Sequence, residues 1–498
     1  MVSGRKLAGV VAVLGVLAAV TGALSVRAWS SSHPRAYVVW AVLALVALAA
    51  LLVLVLPGSA VRRVVAVTAA AVVVAGVLGW TTVVQPRGDV DAAFDGDAVA
   101  WSRAIGDDDT IGEITLLSPE RAVVRRGTEL HVIDTRTGED VATQTIGSRA
   151  TVTRTVDGFA VQDDQRFAIH DRDGGELTRV NGDVLVSRGP GVTVVYSCGS
   201  GPCSVDASSD DGEALWSETG YDRPAPVRQS DGGPPGWGSD AIAVAPVEAV
   251  LPRRGESAGG QQVFDVLDPT TGEPRTTIEA DVAGAVLGTD DTSRIVSVAT
   301  PRRSDECVVS VLEGDDRTDF ERQPECAGAF LALGDRLLAD LPESPTTPVF
   351  DLTTGTVSQL SPPADLDVER PPLVQQVGTG GYALPRTWFD RTTARSDDTS
   401  VSGGAWGTDA ADRWRFDAGA DVRNVTVGAS SVAVTSDVVP LNAWDDPADA
   451  ERVVTVVGLD DGRPTGSLRL RSRVDSATGL PDGSFLVAIE GGRLVRLG

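Results

Sequence analysis

Four cysteines are the residues of this sequence whose spacing predicts a covalent feature. Cys198 and Cys203 flank a Gly-Ser-Gly-Pro turn, which can return the chain and bring the two side chains within bridging distance. Cys307 and Cys326 enclose 18 residues, and we expect them to form the second disulfide. Two local disulfides indicate an oxidising compartment, although four cysteines allow three pairings. A zinc site is the alternative, but the CxxxxC spacing and three histidines fit it poorly.

The other residues that could do chemistry form no recognisable catalytic set. His131 and His170 fall in strands at corresponding places of two successive hairpins, which indicates structural positions. There is no Gly-x-Ser-x-Gly elbow for a nucleophile. The nearest approach to a calcium loop, Asp171, Asp173 and Glu176, lacks the remaining ligands. We therefore assign no catalytic, metal-binding or cofactor-binding residue and expect no bound cofactor.

A short hairpin recurs along residues 86–498, and its turn has a defined chemistry. Its three clearest copies contain Asp, two residues, Thr and Gly, because the Asp side chain caps the turn and Gly accepts a positive φ. These blade-turn residues are Asp134 and Gly138, Asp268 and Gly272, and Asp351 and Gly355. With six degenerate copies there are nine hairpins, at 131–146, 167–180, 203–217, 263–278, 308–320, 348–360, 405–417, 453–468 and 485–497.

The segments around these turns predict an all-β propeller. They alternate apolar and polar residues, as half-buried antiparallel strands do. A propeller blade takes roughly 40–50 residues, so residues 86–498 predict seven or eight four-stranded antiparallel blades. We expect residues 98–106 to close the ring by pairing with the last blade near residues 484–497. Two unrelated domains with sandwich folds are the alternative.

The repeat, a strand followed by Asp-x-x-Thr-Gly and a later Trp, resembles the blade motif of the pyrroloquinoline-quinone-like propellers. Trp216 and Trp414 fall near the position of the docking Trp in two degenerate copies, and Trp101 is a third candidate. The resemblance covers the repeat skeleton of residues 94–498. Because that family includes both quinoprotein dehydrogenases and non-enzymatic BamB-type scaffold proteins, the resemblance implies the fold and leaves the function open.

Residues 1–85 contain three uncharged apolar runs, at 7–26, 36–56 and 64–84. Each is long enough to cross a hydrocarbon core of about 30 Å as a helix, so we expect a membrane anchor with three transmembrane helices. The flanking basic residues favour a cytoplasmic N-terminus and an extracytoplasmic domain at 86–498. If residues 1–28 are instead a cleaved signal peptide, the β-domain still lies outside.

Charge separates the same two parts of the chain. Residues 1–85 hold six basic and no acidic residues, which leaves 37 basic and 69 acidic residues, a net of −32, in the remainder. A domain of this charge repels phosphate backbones, so we expect no nucleic-acid partner. Lys6 is the only lysine beside 42 arginines, a bias typical of a high-GC actinobacterium.

Two hypotheses of function follow from these features. The leading one is a multi-pass cell-membrane protein whose extracytoplasmic propeller binds an envelope protein or a small ligand without catalysis. The alternative, which the family resemblance implies, is a membrane-bound quinoprotein oxidoreductase that holds pyrroloquinoline quinone and Ca²⁺ on the propeller axis. Several such enzymes use an adjacent cysteine pair, which this sequence lacks.

Overall fold

The computed structural model describes part of the chain, which begins at Ala98. The described residues are 98–105, 111–198, 202–224, 228–230, 244–258, 260–288, 290–300, 306–314, 316–321, 329–340, 346–360, 377–385, 400–408, 412–418, 421–438, 451–470 and 473–498. Within them, no helix is long and apolar enough to span a bilayer. The three predicted membrane helices lie outside the described residues, so the 1–85 and 86–498 division stays a prediction.

The described residues form β-strands arranged in nine sheets, which we number as blades 1–9 in chain order. Strand β1 (Val99–Ala104) comes first and belongs to the last blade. Blade 1 contains β2 (Ile111–Ser118), β3 (Arg121–Arg126), β4 (Glu129–Asp134) and β5 (Asp140–Thr145). Blade 2 contains β6 (Thr151–Arg154), β7 (Gly158–Asp163), β8 (Arg166–Asp171) and β9 (Glu176–Asn181). Blade 3 contains β10 (Val184–Gly189), β11 (Val192–Ser197), β12 (Ser204–Ser209) and β13 (Ala214–Thr219).

The middle blades depart from the four-strand pattern. β14 (Arg228–Ser230) lies between blades 3 and 4 in the chain but joins blade 6. Blade 4 contains β15 (Ala249–Ala258), β16 (Gln261–Leu267) and β17 (Pro274–Ala280). Blade 5 contains β18 (Val282–Leu287), β19 (Ser293–Ala299), β20 (Val308–Glu313) and β21 (Asp316–Asp319). Blade 6 contains β22 (Ala329–Leu333), β23 (Arg336–Asp340), β24 (Thr347–Asp351) and β25 (Val357–Leu360).

The last blades return to the regular pattern after one three-stranded sheet. Blade 7 contains β26 (Gly381–Pro385), β27 (Ser400–Ala405) and β28 (Trp414–Asp417). Blade 8 contains β29 (Asp421–Val427), β30 (Ser431–Val438), β31 (Glu451–Gly458) and β32 (Pro464–Leu470). Blade 9 contains β33 (Val474–Gly479), β34 (Phe485–Ile489) and β35 (Arg493–Leu497), with β1 as its fourth strand.

The all-β propeller is confirmed, but the expected seven or eight blades were wrong. Several blades are shorter than the roughly 40–50 residues expected for a blade, because their turns are short. Blade 2, for example, lies within residues 151–181. Each of the nine predicted hairpins therefore marks a blade of its own. Among the described residues, six of the nine blades have four strands, blades 4 and 7 have three, and blade 6 has β14 as a fifth strand.

Ring closure by the N-terminal strand is confirmed. β1 pairs antiparallel with β35, and Ser102 lies opposite Val495 in the register. The outermost strand of blade 9 is therefore supplied by the start of the described chain and its three inner strands by the end. Such pairing joins the two ends of the ring within one sheet.

The core consists of nine apolar clusters among the described residues, one at each interface between neighbouring blades. Central strands such as β4 are buried along most of their length, whereas the outer strand β5 of the same blade is mostly exposed. The sequence reflects this, because β4 reads Leu-His-Val-Ile and β5 reads Asp-Val-Ala-Thr-Gln-Thr. In the closing cluster, Leu486 and Leu494 of blade 9 pack with Ile111 and Val124 of blade 1.

An ionisable residue lies in the inner strand of the closing blade. Asp475 is the extra residue of a β-bulge in β33, between the pairs Val474–Ile489 and Ser476–Ala488. Its side chain is 5% exposed, and its Oδ2 has no hydrogen-bond partner among the described residues. Burial raises the pKa of Asp475; the charge of Arg473 opposes this and the charge of Glu490 adds to it.

We expect Asp475→Asn to stabilise the protein at pH 8 by about 1–3 kcal/mol, since it removes an ionised carboxylate with an unsatisfied oxygen. A carboxyl group with a raised folded-state pKa destabilises the fold when ionised, and this penalty disappears as the pH falls through that pKa. The advantage of the variant should therefore shrink on acidification. Urea unfolding of the full-length chain in detergent at several pH values measures it.

Asp482 of the same blade provides a control with the opposite sign. Burial opposes ionisation there, but hydrogen bonds from Ser484 and the charge and hydrogen bond of Arg496 lower the pKa of Asp482 overall. Asp482→Asn should therefore destabilise the protein at pH 8, with a cost that fades at low pH. Equal effects of the two substitutions would contradict the assigned role of Asp475.

Candidate functional site

The predicted blade-turn residues lie in turns of one conformation. In blade 1, Asp134 Oδ1 accepts hydrogen bonds from the backbone N–H groups of Arg136 at 2.9 Å and Thr137 at 3.1 Å. The Gly138 N–H donates to the Asp134 carbonyl at 2.8 Å, and Gly138 adopts a φ of +74°. The same turn recurs at Asp268 and Gly272 in blade 4 and at Asp351 and Gly355 in blade 6.

Three tryptophans dock on the corresponding turn of the next blade. Trp216 of blade 3 donates from Nε1 to the Pro269 carbonyl at 2.9 Å. Its ring lies against Gly272, where a Cβ atom would be 2.7 Å from Cδ2 of the indole. Trp101 docks in the same way on Thr135 and Gly138, and Trp414 docks on Leu459 and Gly462. The motif residues are therefore contacts between blades.

The Cys198–Cys203 disulfide is confirmed, with the two Cα atoms 4.3 Å apart. It closes the connection between β11 and β12 of blade 3. Cys307 is also disulfide-bonded and buried, whereas its predicted partner Cys326 lies outside the described residues. Their pairing stays a prediction.

An open cleft of about 790 Å³ surrounds the hairpin that joins β7 and β8 in blade 2. The connections to blades 1 and 3 form its sides, and Cys198 lies at its blade 3 end. Its apolar lining includes Val161 and Phe167, which are largely buried. The volume falls in the range of small-molecule sites, and it also suits a peptide segment.

Polar side chains at the mouth of this cleft are available for a ligand. Asp163, Asp164 and Arg166 are exposed, and their side chains form no hydrogen bond or ion pair with the described residues. Asp183 is already engaged, because it accepts hydrogen bonds from Gln165 and from the Cys198 N–H. The mouth therefore offers two carboxylates and one guanidinium beside an apolar lining.

His170 lines the cleft as a neutral, structural side chain. It stacks on Phe159 with ring centroids 4.9 Å apart and is 4% exposed. Burial lowers its pKa, and the charge of Glu176 opposes this shift. Gln144 Nε2 lies 3.1 Å from His170 Nδ1 and donates to the Gly174 carbonyl at 2.7 Å. The Nδ1 atom therefore acts as the acceptor.

The two histidines of the β-domain do not occupy corresponding positions, contrary to expectation. Both lie on the third strand of a blade, but His131 is three residues before Asp134 and His170 directly precedes Asp171. His131 Nδ1 lies 3.3 Å from Asp140 Oδ1. Each imidazole therefore has its own packing environment.

The residues considered as calcium ligands have other partners. Asp171 Oδ1 accepts backbone N–H groups of Asp173 at 3.0 Å and Gly175 at 2.7 Å, as a turn cap does. The Glu176 carboxylate pairs with Arg179 through two hydrogen bonds of 2.7 Å. Throughout the described part of the chain, no group of three or more His, Cys, Asp or Glu side chains is placed to hold a metal ion.

The propeller axis is approached by the chain segment that links blades 3 and 4. β14 of this segment pairs in parallel with β22, the first strand of blade 6, with Gln229 opposite Ala332. Val244 of the same segment forms a parallel bridge with Arg154 at the end of β6, the first strand of blade 2. First strands line the axis of a propeller. This arrangement was not predicted, because nothing local in the sequence specifies pairing with a distant blade.

The chain has distant likenesses among solved structures. The chain is similar to the WD40 domain of SCAP from fission yeast, with 8% identity, coverage of 80% of this chain and 98% of that chain, and a TM-score of 0.41. It is similar to apo AztD from Citrobacter koseri with 12% identity, coverage of 72% and 95%, and a TM-score of 0.37. No protein-family profile and no curated sequence matches the chain. The propeller assignment therefore stands on the strand topology.

The docking of Trp216 predicts the effect of an added methyl group on the turn. Gly272→Ala places a Cβ against the indole in addition to straining a positive φ, whereas Gly212 has a φ of +77° and nothing within 4 Å of its Cβ position. We expect Gly212→Ala to cost about 1 kcal/mol from conformation alone. Gly272→Ala should cost about 1–3 kcal/mol more, from overpacking. Urea unfolding of both variants measures the difference, and equal costs would mean that the Trp–Gly contact is unimportant.

Proposed function

We propose that this chain is a non-enzymatic binding module: an extracytoplasmic nine-bladed propeller held at the cell membrane by three helices in residues 1–85. In this proposal the N-terminus is cytoplasmic and the cleft in blade 2 binds an envelope protein or a small ligand. The observation that carries the proposal is the Cys198–Cys203 disulfide beside the open cleft. The disulfide indicates that the β-domain lies in an oxidising compartment. The cleft has the volume of a ligand-binding site.

The sequence supports the membrane part of the proposal. The apolar runs at 7–26, 36–56 and 64–84 have the length of membrane spans and carry no charge. A β-domain that follows them and holds disulfides suits the outer side of a bacterial cytoplasmic membrane. The actinobacterial origin inferred from the arginine bias belongs to the same proposal.

Membership of the pyrroloquinoline-quinone-like propellers is a further part of the proposal. The docking of Trp101, Trp216 and Trp414, each on a turn of the next blade, supports it, because these are the positions that the repeat motif designates. The quinoprotein alternative requires an accessible axis. β14 lies along the inner edge of blade 6, so a quinone on the axis would have to share that space with the chain. We therefore favour the binding module.

Topology is tested first with thiol chemistry on intact cells. The full-length chain should yield no alkylated Cys198 or Cys203 without reductant, and full alkylation after external reduction with a membrane-impermeant phosphine. Free thiols at these positions before reduction would contradict the extracytoplasmic location. A single-cysteine variant at Ser3 provides the control, because the proposal places Ser3 on the cytoplasmic side.

Binding through the cleft is tested by photo-crosslinking in the membrane. A benzoylphenylalanine at Arg166, at the mouth of the cleft, should give a discrete adduct with a protein or ligand, whereas the same probe at Leu215 should not. Leu215 is 40% exposed and lies on the outer strand β13 of blade 3. Crosslinking at Leu215 alone would overturn the assignment of the cleft. Saturable binding of pyrroloquinoline quinone with Ca²⁺ would instead favour the oxidoreductase.

A further inference from the structure

Two arginines of blade 2 share one carboxylate that comes from blade 5. Arg154 Nη2 lies 2.8 Å from Asp291 Oδ1, and Arg172 Nη2 lies 2.8 Å from Asp291 Oδ2. Arg154 ends β6, Arg172 belongs to the turn after β8, and Asp291 lies at the tip of the hairpin between β18 and β19. These two blades are three positions apart in the ring, so this contact crosses between blades that are not neighbours.

The buried arginines that join neighbouring blades differ from this pair. Arg188 is fully buried between blades 2 and 3, where it binds both Asp157 and Asp210. By contrast, the side chains of Arg154, Arg172 and Asp291 are 19%, 40% and 33% exposed. Ion pairs with this exposure contribute little to stability, so a ligand can compete with the internal carboxylate.

The two guanidiniums have the geometry of a carboxylate site. Each oxygen of Asp291 takes one guanidinium, which is how proteins hold a carboxylate with charge-assisted hydrogen bonds. Arg154 Nε is buried and has no partner among the described residues, which leaves a donor unused. Asp291 occupies the site with a φ of +61°, a conformation that Asp tolerates in a turn.

Nearby acidic residues have other partners. Arg188 binds Asp157 and Arg121 binds Asp173. Asp290 Oδ2 lies 3.6 Å from Arg294 Nη2. Among these contacts, the carboxylate that faces Arg154 and Arg172 is Asp291 alone. If Asp291 withdraws, the two guanidiniums lose this counter-charge, while Arg172 Nη2 keeps its hydrogen bond to the Val156 carbonyl at 2.6 Å.

We propose that Arg154 and Arg172 form a binding site for a ligand carboxylate, and that Asp291 of the same chain fills it as an internal competitor. The ligand class is a carboxylate group carried by a small acid or by an acidic side chain or C-terminus of a partner. This site lies on the turns of blade 2 and is separate from the cleft around the β7–β8 hairpin. It does not depend on the membrane anchor or on the proposed function of the cleft.

The test is a succinate titration of the full-length chain in detergent at constant ionic strength, followed by calorimetry. Asp291→Asn keeps the shape of the tip and removes the competing charge, so it should bind succinate at least tenfold more tightly than the unmodified chain. Asp460→Asn is the matched control, because Asp460 is an exposed aspartate in the turn between β31 and β32 and has no arginine partner among the described residues. It should bind like the unmodified chain.

Further substitutions identify the binding groups. Adding Arg154→Gln or Arg172→Gln to Asp291→Asn should abolish the gain in affinity, whereas Arg179→Gln, an exposed arginine of the same blade, should not. Equal succinate affinity in all variants, or binding that survives both arginine substitutions, would overturn the proposal. Tighter binding of inorganic phosphate than of succinate would overturn the carboxylate assignment.

A second measurement keeps the proposal testable if Asp291→Asn does not fold. The unmodified chain should then bind succinate weakly, in the millimolar range, and lose this binding with Arg172→Gln but retain it with Arg179→Gln. Absence of any binding to the unmodified chain up to about 100 mM, together with an unfolded Asp291→Asn variant, would mean that Asp291 is a structural ion pair and would refute the site.

Discussion

The packing of one blade on the next is the interaction on which this structure depends. No single blade can bury both faces of its central strands, and each interface between neighbours contains one apolar cluster. Because the interfaces form a ring, the last one must be closed by strand pairing between the two ends of the domain. The pairing of β1 with β35 does this and places Trp101 on the turn of blade 1.

Two buried arginines join neighbouring blades at these interfaces. Arg188 is fully buried and joins blades 2 and 3 through two aspartates, and Arg294 joins blades 5 and 6 through Asp335. The guanidinium fork can bind two carboxylates at once, which a lysine ammonium does less well. Many carboxylates nevertheless remain at turn tips in solvent, and they account for the acidic surface of the domain.

Local features were predictable from the sequence, whereas long-range pairings were not. The turn at Asp134 and Gly138 is specified by a cap and a positive φ within five residues, so its position could be read directly. The strand pairing that closes the ring was also predictable, because the repeat array leaves one strand without a partner at each end and these two strands can pair. The blade number was not, since it depends on turn lengths that vary between blades.

Other features arise only once the blades are assembled. The cleft of blade 2 is formed by connections from three blades, and no sequence pattern marks Asp163 or Arg166 as residues at its mouth. The insertion of β14 beside β22 and the contact of Asp291 with Arg154 join residues about a hundred or more positions apart. Their sequences carry no turn or period that would specify those partners.

Hydrogen–deuterium exchange of the full-length chain tests ring closure most directly. Because β1 is the outer strand of blade 9, the backbone N–H groups of Val99–Ala104 that pair with Arg493–Leu497 should be protected, whereas those that face away from β35 should exchange. Rapid exchange of every N–H group of Val99–Ala104 beside a protected Arg493–Leu497 would show that the N-terminal strand does not belong to blade 9. That result would contradict the closed nine-bladed ring.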